Sequence, residues 1–244
     1  MNDTIDTAVS PPKPKRKIAK ILGRGLLGLL ALALAGHFVW VASGSNQWEL
    51  AREKDGIKLW TLKSPGSGLV RVKGEARIKS SVSGMVKLLE EFDNSIEGFD
   101  MDVKVIREIA STPRNRAIYS QFKFEIPIPG VQTRDYVLFS ERFQDPETKR
   151  VEINLMAAPD IVPRDPCCVR VTHLHNNWKL TPLKNGELDI EFTQDTDDGG
   201  FPYLIQNIFL TEGTHMILDQ MRGLMKLEKF QHARVASILE LDPS

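Results

Sequence analysis

The sequence predicts an α+β fold: a curved antiparallel sheet wrapped around one long C-terminal helix, preceded by an N-terminal transmembrane or signal segment. Three observations carry this expectation. An apolar run, Leu26 to Ala42, follows a basic cluster. A train of short alternating segments, joined by turn-forming residues, fills the middle of the chain. From Pro202 to about Ala236 there is no further proline, and the only glycines are Gly213 and Gly223.

The 244 residues divide into a basic tail (1–24), an apolar segment (25–44) and a remainder (45–244) large enough for one sizeable core. Of 32 basic and 32 acidic side chains, 6 and 2 lie in the first 44 residues, which leaves 26 and 30 for the remainder. A mildly acidic folded part has no broad electrostatic claim on nucleic acid. The 17 residues from Leu26 to Ala42 are at the short end of a spanning helix and long for a signal-peptide core. Six basic groups (Lys13, Lys15, Arg16, Lys17, Lys20, Arg24) precede the run and none follows before Arg52, so the N-terminus is expected in the cytoplasm. Retention as a signal-anchor and cleavage near Val41-Ala42-Ser43-Gly44 are both open. Either outcome places residues 45–244 on the non-cytoplasmic side, the periplasm if the source is bacterial.

Beyond the segment, Ile57–Leu62 and Leu69–Ile78 read as strands separated by Ser64-Pro65-Gly66-Ser67-Gly68. Val82, Met85, Val86, Leu89 and Phe92 share one helical face, which Ser80 or Ser81 can cap. Strands are then expected over Met101–Ile109, Arg116–Phe124, Asp135–Phe143, Arg150–Ala157, a long Val169–Leu183, and Glu187–Thr193. Short connections suit antiparallel neighbours. In the terminal helix, Ile205, Phe209, Met216 and Leu224 lie on or near one face, and Pro202 suits its first turn. A curved sheet cannot hide its concave face alone, and this helix is the obvious cover.

Four stretches resemble the START family, the lipid-transfer domains related to the steroidogenic acute regulatory protein. They are WELAREKDGIKLW, IPIPGVQTRDYVLF, NNWKLTPL and TQDTDDGGFPYLIQNIF, in order between about Trp48 and Arg222. The resemblance implies a START/Bet v1-like helix-grip fold and a lipid or sterol-like hydrophobic ligand held between sheet and helix. It implies a gating loop at Glu125 to Thr133, where Pro127 and Pro129 forbid a regular ladder. Some sterol-binding members carry a second arginine six residues beyond their Arg-Asp pair. Ser140 occupies that position here, and the nearest arginine on the strand is Arg142, so a sterol is not carried over.

The expected ligand-binding residues are Ile126, Ile128 and Val131 from the loop, Arg142 from the strand, and Phe209, Met216 and Met221 from the helix. Methionine adapts to ligands of irregular shape, which suits Met216, Met221 and Met225, with ordinary core as the competing reading. Arg134 and Asp135 point to opposite faces and are read as sheet-end salt-bridge partners of other residues. Asp195, Asp197 and Asp198 before Gly199-Gly200 read as a turn and helix N-cap, with the wrong spacing for a calcium loop.

No catalytic or metal site, and no cofactor, is expected. His173 and His175 share a strand face but lack a fixed third ligand. Glu90-Glu91 read as a solvated helix end, and adjacent Cys167 and Cys168 as free thiols, with a vicinal disulfide as the alternative. The expected role is non-catalytic binding, and possibly transfer, of a hydrophobic ligand at a membrane. An enzyme of the cyclase or hydrolase type in the same cavity, or a ligand-free partner-binding module, stays open.

Overall fold

The computed structural model describes residues 15–91, 103–112, 115–126 and 128–241. The tail residues 1–14, Phe92, Met101 and Pro127, named above, lie outside them. The chain divides into two units, Met1–Ser43 and Gly44–Ser244. The first is one helix, α1 (Lys15–Ala42). Successive residues turn about 100°, so Leu26, Leu27, Leu29, Ala31 and Leu32 together reach all sides of it, the pattern of a helix solvated by something apolar. Its segment Lys20–Ala42, 23 residues, is long and apolar enough to cross a membrane.

The second unit is built on a sheet. Its strands are β1 (Trp48–Lys54), β2 (Ile57–Lys63), β3 (Val70–Lys79), β4 (Lys104–Ser111), β5 (Asn115–Phe124), β6 (Arg134–Gln144), β7 (Val151–Ala157), β8 (Val169–Arg170), β9 (His173–Pro182), β10 (Glu187–Gln194) and β11 (Thr196–Asp197). Helix α2 (Val82–Glu91) follows β3, and α3 (Tyr203–Leu224) and α4 (Glu228–Gln231) close the chain. The main path runs β1-β2-β3-β10-β9-β7-β6-β5-β4, all antiparallel, with β8 and β11 off it. Period-two patterning sets the buried face: Val70, Val72, Gly74, Ala76 and Ile78 point inward along β3, and Leu188, Ile190 and Phe192 along β10.

Helix α3 rests on β2, β3 and β10. Its buried stripe is Gln206, Leu210, Thr214, Leu218 and Met221, not the Ile205–Phe209–Met216–Leu224 face expected from apolar periodicity. Two polar residues can sit in that stripe because each is bonded. Gln206 Nε2 donates to Asp198 at 2.9 Å, and Thr214 Oγ1 donates to the Leu210 carbonyl and accepts from Gln194. Gly74 permits the close approach of β3 and α3. A Cβ there would lie 2.5 Å from Leu218 Cδ1 and 2.7 Å from Thr214 Cγ2.

The expected strand Val169–Leu183 is divided. Arg170 is the cause: its guanidinium pairs with Asp135 at 2.8 Å and donates to the carbonyls of Pro159, Val162 and Pro163. These bonds draw β8 into a parallel pairing with β6, and the chain joins β7 only from His175 onward. Both charges are nearly fully buried. Asp135 also accepts Gln121 Nε2, so Arg134 and Asp135 do serve separate partners.

The terminal helix ends at Leu224, short of the expected Ala236. The chain then turns back, and Phe230 and Ile238 enter the core beside Val82, Met85 and Val86 of α2. Met225 belongs to this core too. Beyond it, Gln144 exchanges two hydrogen bonds with the backbone of Leu239, and the Glu240 carboxylate accepts the N–H groups of Val82 and Ser83 at 3.1 and 2.8 Å. Ser81 Oγ takes the N–H of Gly84, so three open donors of the α2 N-terminus are satisfied. The C-terminal residues 225–241 are thus a strap that caps and covers α2.

Cys167 and Cys168, expected as free thiols, are joined in a vicinal disulfide. They sit in a turn closed by the Cys168 N–H on the Asp165 carbonyl, which sets neighbouring side chains against each other.

Two substitutions separate these supports. Asp135→Asn leaves the Arg170 charge buried without its counter-charge and is expected to cost about 3–5 kcal/mol. Glu240→Gln removes a charged cap and is expected to cost about 1 kcal/mol. Urea unfolding of the full-length chain followed by circular dichroism ranks the two, and equal losses would contradict the assignment.

Candidate functional site: an apolar cavity between sheet and helix

Because α3 rests on β2, β3 and β10, the inner face of β5, β6, β7 and β9 is left facing a cavity of about 790 Å³. Most of its wall is apolar. Trp178 and Phe192 stack at 3.7 Å between ring centroids, and Phe122 and Tyr136 at 4.6 Å. Leu138, Ile153, Leu155 and Leu174 fill the wall between them. Phe124, Ile128, Phe209 and Met216 line the cavity and are at the same time about half exposed, so they mark its mouth.

Of the residues expected to bind ligand, Ile126, Ile128, Arg142, Phe209, Met216 and Met221 all line this one cavity. Val131 is half-buried and is not among the lining residues. The loop carrying it turns at Gly130, whose φ of +82° lies in the left-handed region that suits glycine.

Apart from Glu212, the charged residues of the wall gather at two places, and Ser120, Ser140, Asn176, Gln194 and Thr196 add neutral polar groups. At one, Glu90 of α2 faces Arg116 of β5 and Arg142 of β6. Its carboxylate lies 2.8 Å from Arg116 Nη1 and 3.2 Å from Arg142 Nη1. Ser237 of the strap accepts Arg142 Nη2 at 3.1 Å. Burial lowers the Arg142 pKa from its usual value, and the Glu90 charge opposes that shift. Glu90 is therefore no solvated helix end. Its partners were visible in sequence only as positions on β5 and β6, since two alternating strands say nothing of the helix that covers them.

At the other place, Asp198 holds Tyr136 Oη at 2.6 Å and Gln206 Nε2, tying β6 to the first turns of α3. Asp198 does not cap the helix; the N-cap is Pro202, with no side-chain cap bond. Asp197 closes the preceding turn by accepting the Gly199 N–H, and Gly199 and Gly200 take φ of +70° and +74°. Arg134 donates to the Gln132 and Gly199 carbonyls and lies over the Phe201 ring. His215 lines the cavity with Nε2 buried and unpartnered among the described residues.

His173 and His175 form no joint site: His173 Nε2 meets Asp195 Oδ1 at 2.7 Å, and His175 is exposed. Among the described residues the one group of three potential metal ligands is Asp165, Cys167 and Cys168, whose sulfurs are bonded to each other.

Burial and the Asp198 charge raise the Tyr136 pKa well above the usual phenol value. The proton is held more tightly in the folded state, so this contribution to stability is complete below the unfolded phenol pKa and declines as pH rises past it. Of the three tyrosines, one is expected to resist ionisation in an alkaline absorbance titration until the chain unfolds. Tyr136→Phe should abolish that class.

No family model matches the sequence. A curated relative, an uncharacterized protein of Pseudomonas aeruginosa, is 26% identical over 206 residues, spanning 82% of this chain and 96% of that protein. Among solved structures, a STAR-related lipid transfer protein from Xanthomonas axonopodis superposes with a TM-score of 0.63 at 23% identity, over 74% of this chain and 99% of that one. Human StAR-related lipid transfer protein 5 gives 0.61 at 17% identity over 83% and 98%, and human STARD10 gives 0.62 at 15% over 80% and 80%. The domain that follows the apolar helix thus has the START helix-grip fold that its four sequence stretches implied.

Proposed function

We propose that the protein is a membrane-anchored, non-catalytic lipid-binding module that takes one hydrophobic ligand into the cavity between its sheet and α3. The observation that carries this reading is the cavity itself. A volume of about 790 Å³ is in the range of single-ligand sites. Its wall is aliphatic and aromatic, and its mouth is rimmed by half-exposed Phe124, Ile128, Phe209 and Met216. Water gains little in such a space, whereas an apolar chain is transferred there favourably. The structural neighbours, lipid transfer proteins of bacterial and human origin, support the reading. Residues 125–133 serve as the gate.

The absence of catalysis is part of the proposal. Its support is that the carboxylates lining the cavity are committed to partners: Glu90 to two arginines, Asp198 to Tyr136 and Gln206, Glu212 to Arg52. The membrane side rests on charge: six basic groups precede the apolar segment, so the lipid-binding domain faces the non-cytoplasmic side. An anchored carrier loads from the membrane that holds it and hands ligand to a second surface or partner.

Full-length protein purified from its own host and analysed by native mass spectrometry is expected to carry one lipid-class molecule per chain. Leu138→Trp, which fills the cavity, should cut that occupancy at least about tenfold at a stability cost of about 1–3 kcal/mol. An empty wild-type chain that also takes up no fluorescent fatty acid or sterol would defeat the proposal. Separately, alkaline phosphatase fused after Ser244 should be active in intact cells. An inactive fusion would put the domain in the cytoplasm.

A further inference from the structure

The cavity wall has a direction. On β5 the residues facing the cavity are Arg116, Ile118, Ser120, Phe122 and Phe124, and on β6 they are Tyr136, Leu138, Ser140 and Arg142. The two strands are paired so that Arg116 lies opposite Arg142, Ile118 opposite Ser140, Ser120 opposite Leu138, and Phe122 opposite Tyr136. Read from Phe124 at the mouth inward, the wall passes from aromatic rings through two hydroxyls to two guanidinium groups. Eight residues of extended strand, a path of roughly 27 Å, separate Phe124 from Arg116.

Among the described residues, the floor holds two cations and one anion: Arg116 and Arg142 share the Glu90 carboxylate. The other two acids that line the cavity are occupied elsewhere, Asp198 by Tyr136 and Gln206 and Glu212 by Arg52 at the outer edge. Arg142 is only 3% exposed, and its Nε is buried with no hydrogen-bond partner among the described residues. An unpaired donor on a buried cation is costly unless something accepts from it. An acceptor carrying one negative charge would answer both the buried donor and the second cation. A carboxylate matches both the excess of one and the planar guanidinium, whereas a phosphate monoester carries close to two charges.

We infer that the cavity takes an amphiphile of the fatty-acid class, carboxylate first, with the acid against Arg116 and Arg142 and the apolar chain running out toward the mouth. This rests on the cavity being a lipid site and names the chemistry of the lipid. Phe122 and Tyr136 then flank the chain, and Ser120 and Ser140 lie along its length.

The test holds the full-length chain in amphipol at pH 8 and titrates it with oleate, oleyl alcohol and methyl oleate, which share a chain and differ at the end group. Oleate is expected to bind about tenfold or more tightly than methyl oleate. Arg142→Gln should bring oleate down to the level of the ester while leaving ester affinity within about twofold. Arg116→Gln should lower the preference in the same direction, and serves if the first variant does not fold. Equal binding of the three ligands to the wild-type chain overturns the carboxylate assignment and leaves the lipid cavity standing. A loss in Arg142→Gln that is the same for acid and ester makes the arginine structural and overturns it as well. Binding of none of the three overturns both this inference and the cavity reading on which it rests.

Discussion

The seat of α3 on one half of the sheet is the constraint from which the rest of the structure follows. A helix that lay centrally across the concave face would fill it and leave an ordinary core. Here the contact is drawn toward β2 and β3, because Gly74 lets Leu218 and Thr214 come to the backbone of β3 more closely than any side chain would allow. The opposite half of the sheet, β5 to β7, is not the seat of α3, and its apolar face becomes a wall. The cavity is a product of asymmetric packing.

That arrangement needs support at both ends of the helix. At its start, Asp198 joins Tyr136 of β6 to Gln206. Beyond its end, the strap returns to α2, placing Phe230 and Ile238 in the core and Glu240 on the α2 N-terminus. The strap also reaches the cavity floor through Ser237 on Arg142. Helix α2, the strap and the two arginine-bearing strands thereby form one connected body around Glu90. The buried Asp135–Arg170 pair does the corresponding work at the far end of β6, holding β8 in register beneath the loop that borders the mouth.

These features give an apolar, roughly linear space with a charged floor and an aromatic mouth. The START fold supplies the sheet and the covering helix in many proteins, and a fold alone does not choose a ligand. The choice is made by the few polar side chains that interrupt the apolar wall. In this chain Ser140 and Arg142 lie on one face of β6 and both line the cavity, and Arg116 stands opposite Arg142 on β5.

Much of this was legible in the chain itself. Local physics determined the apolar helix and its basic flank, most of the sheet's strands, and helix α2 with its Ser81 cap, since alternation, helical period and turn chemistry are properties of neighbouring residues. Four ordered motifs were enough to imply the helix-grip fold. What only tertiary structure decided involves residues far apart in sequence. The α3 stripe runs through Gln206 and Thr214 because Asp198 accepts from the first and Gln194 donates to the second, which no hydrophobic period encodes. Val169–Leu183 breaks because Asp135 claims Arg170 from across the sheet. The C-terminal residues fold back because α2 offers open N–H groups and uncovered apolar side chains. Glu90, read in isolation as a solvated acid, becomes the anion of the cavity floor once β5 and β6 bring two arginines to it. Long-range pairing of buried polar groups is the common physical reason, and a linear pattern carries no signal for it.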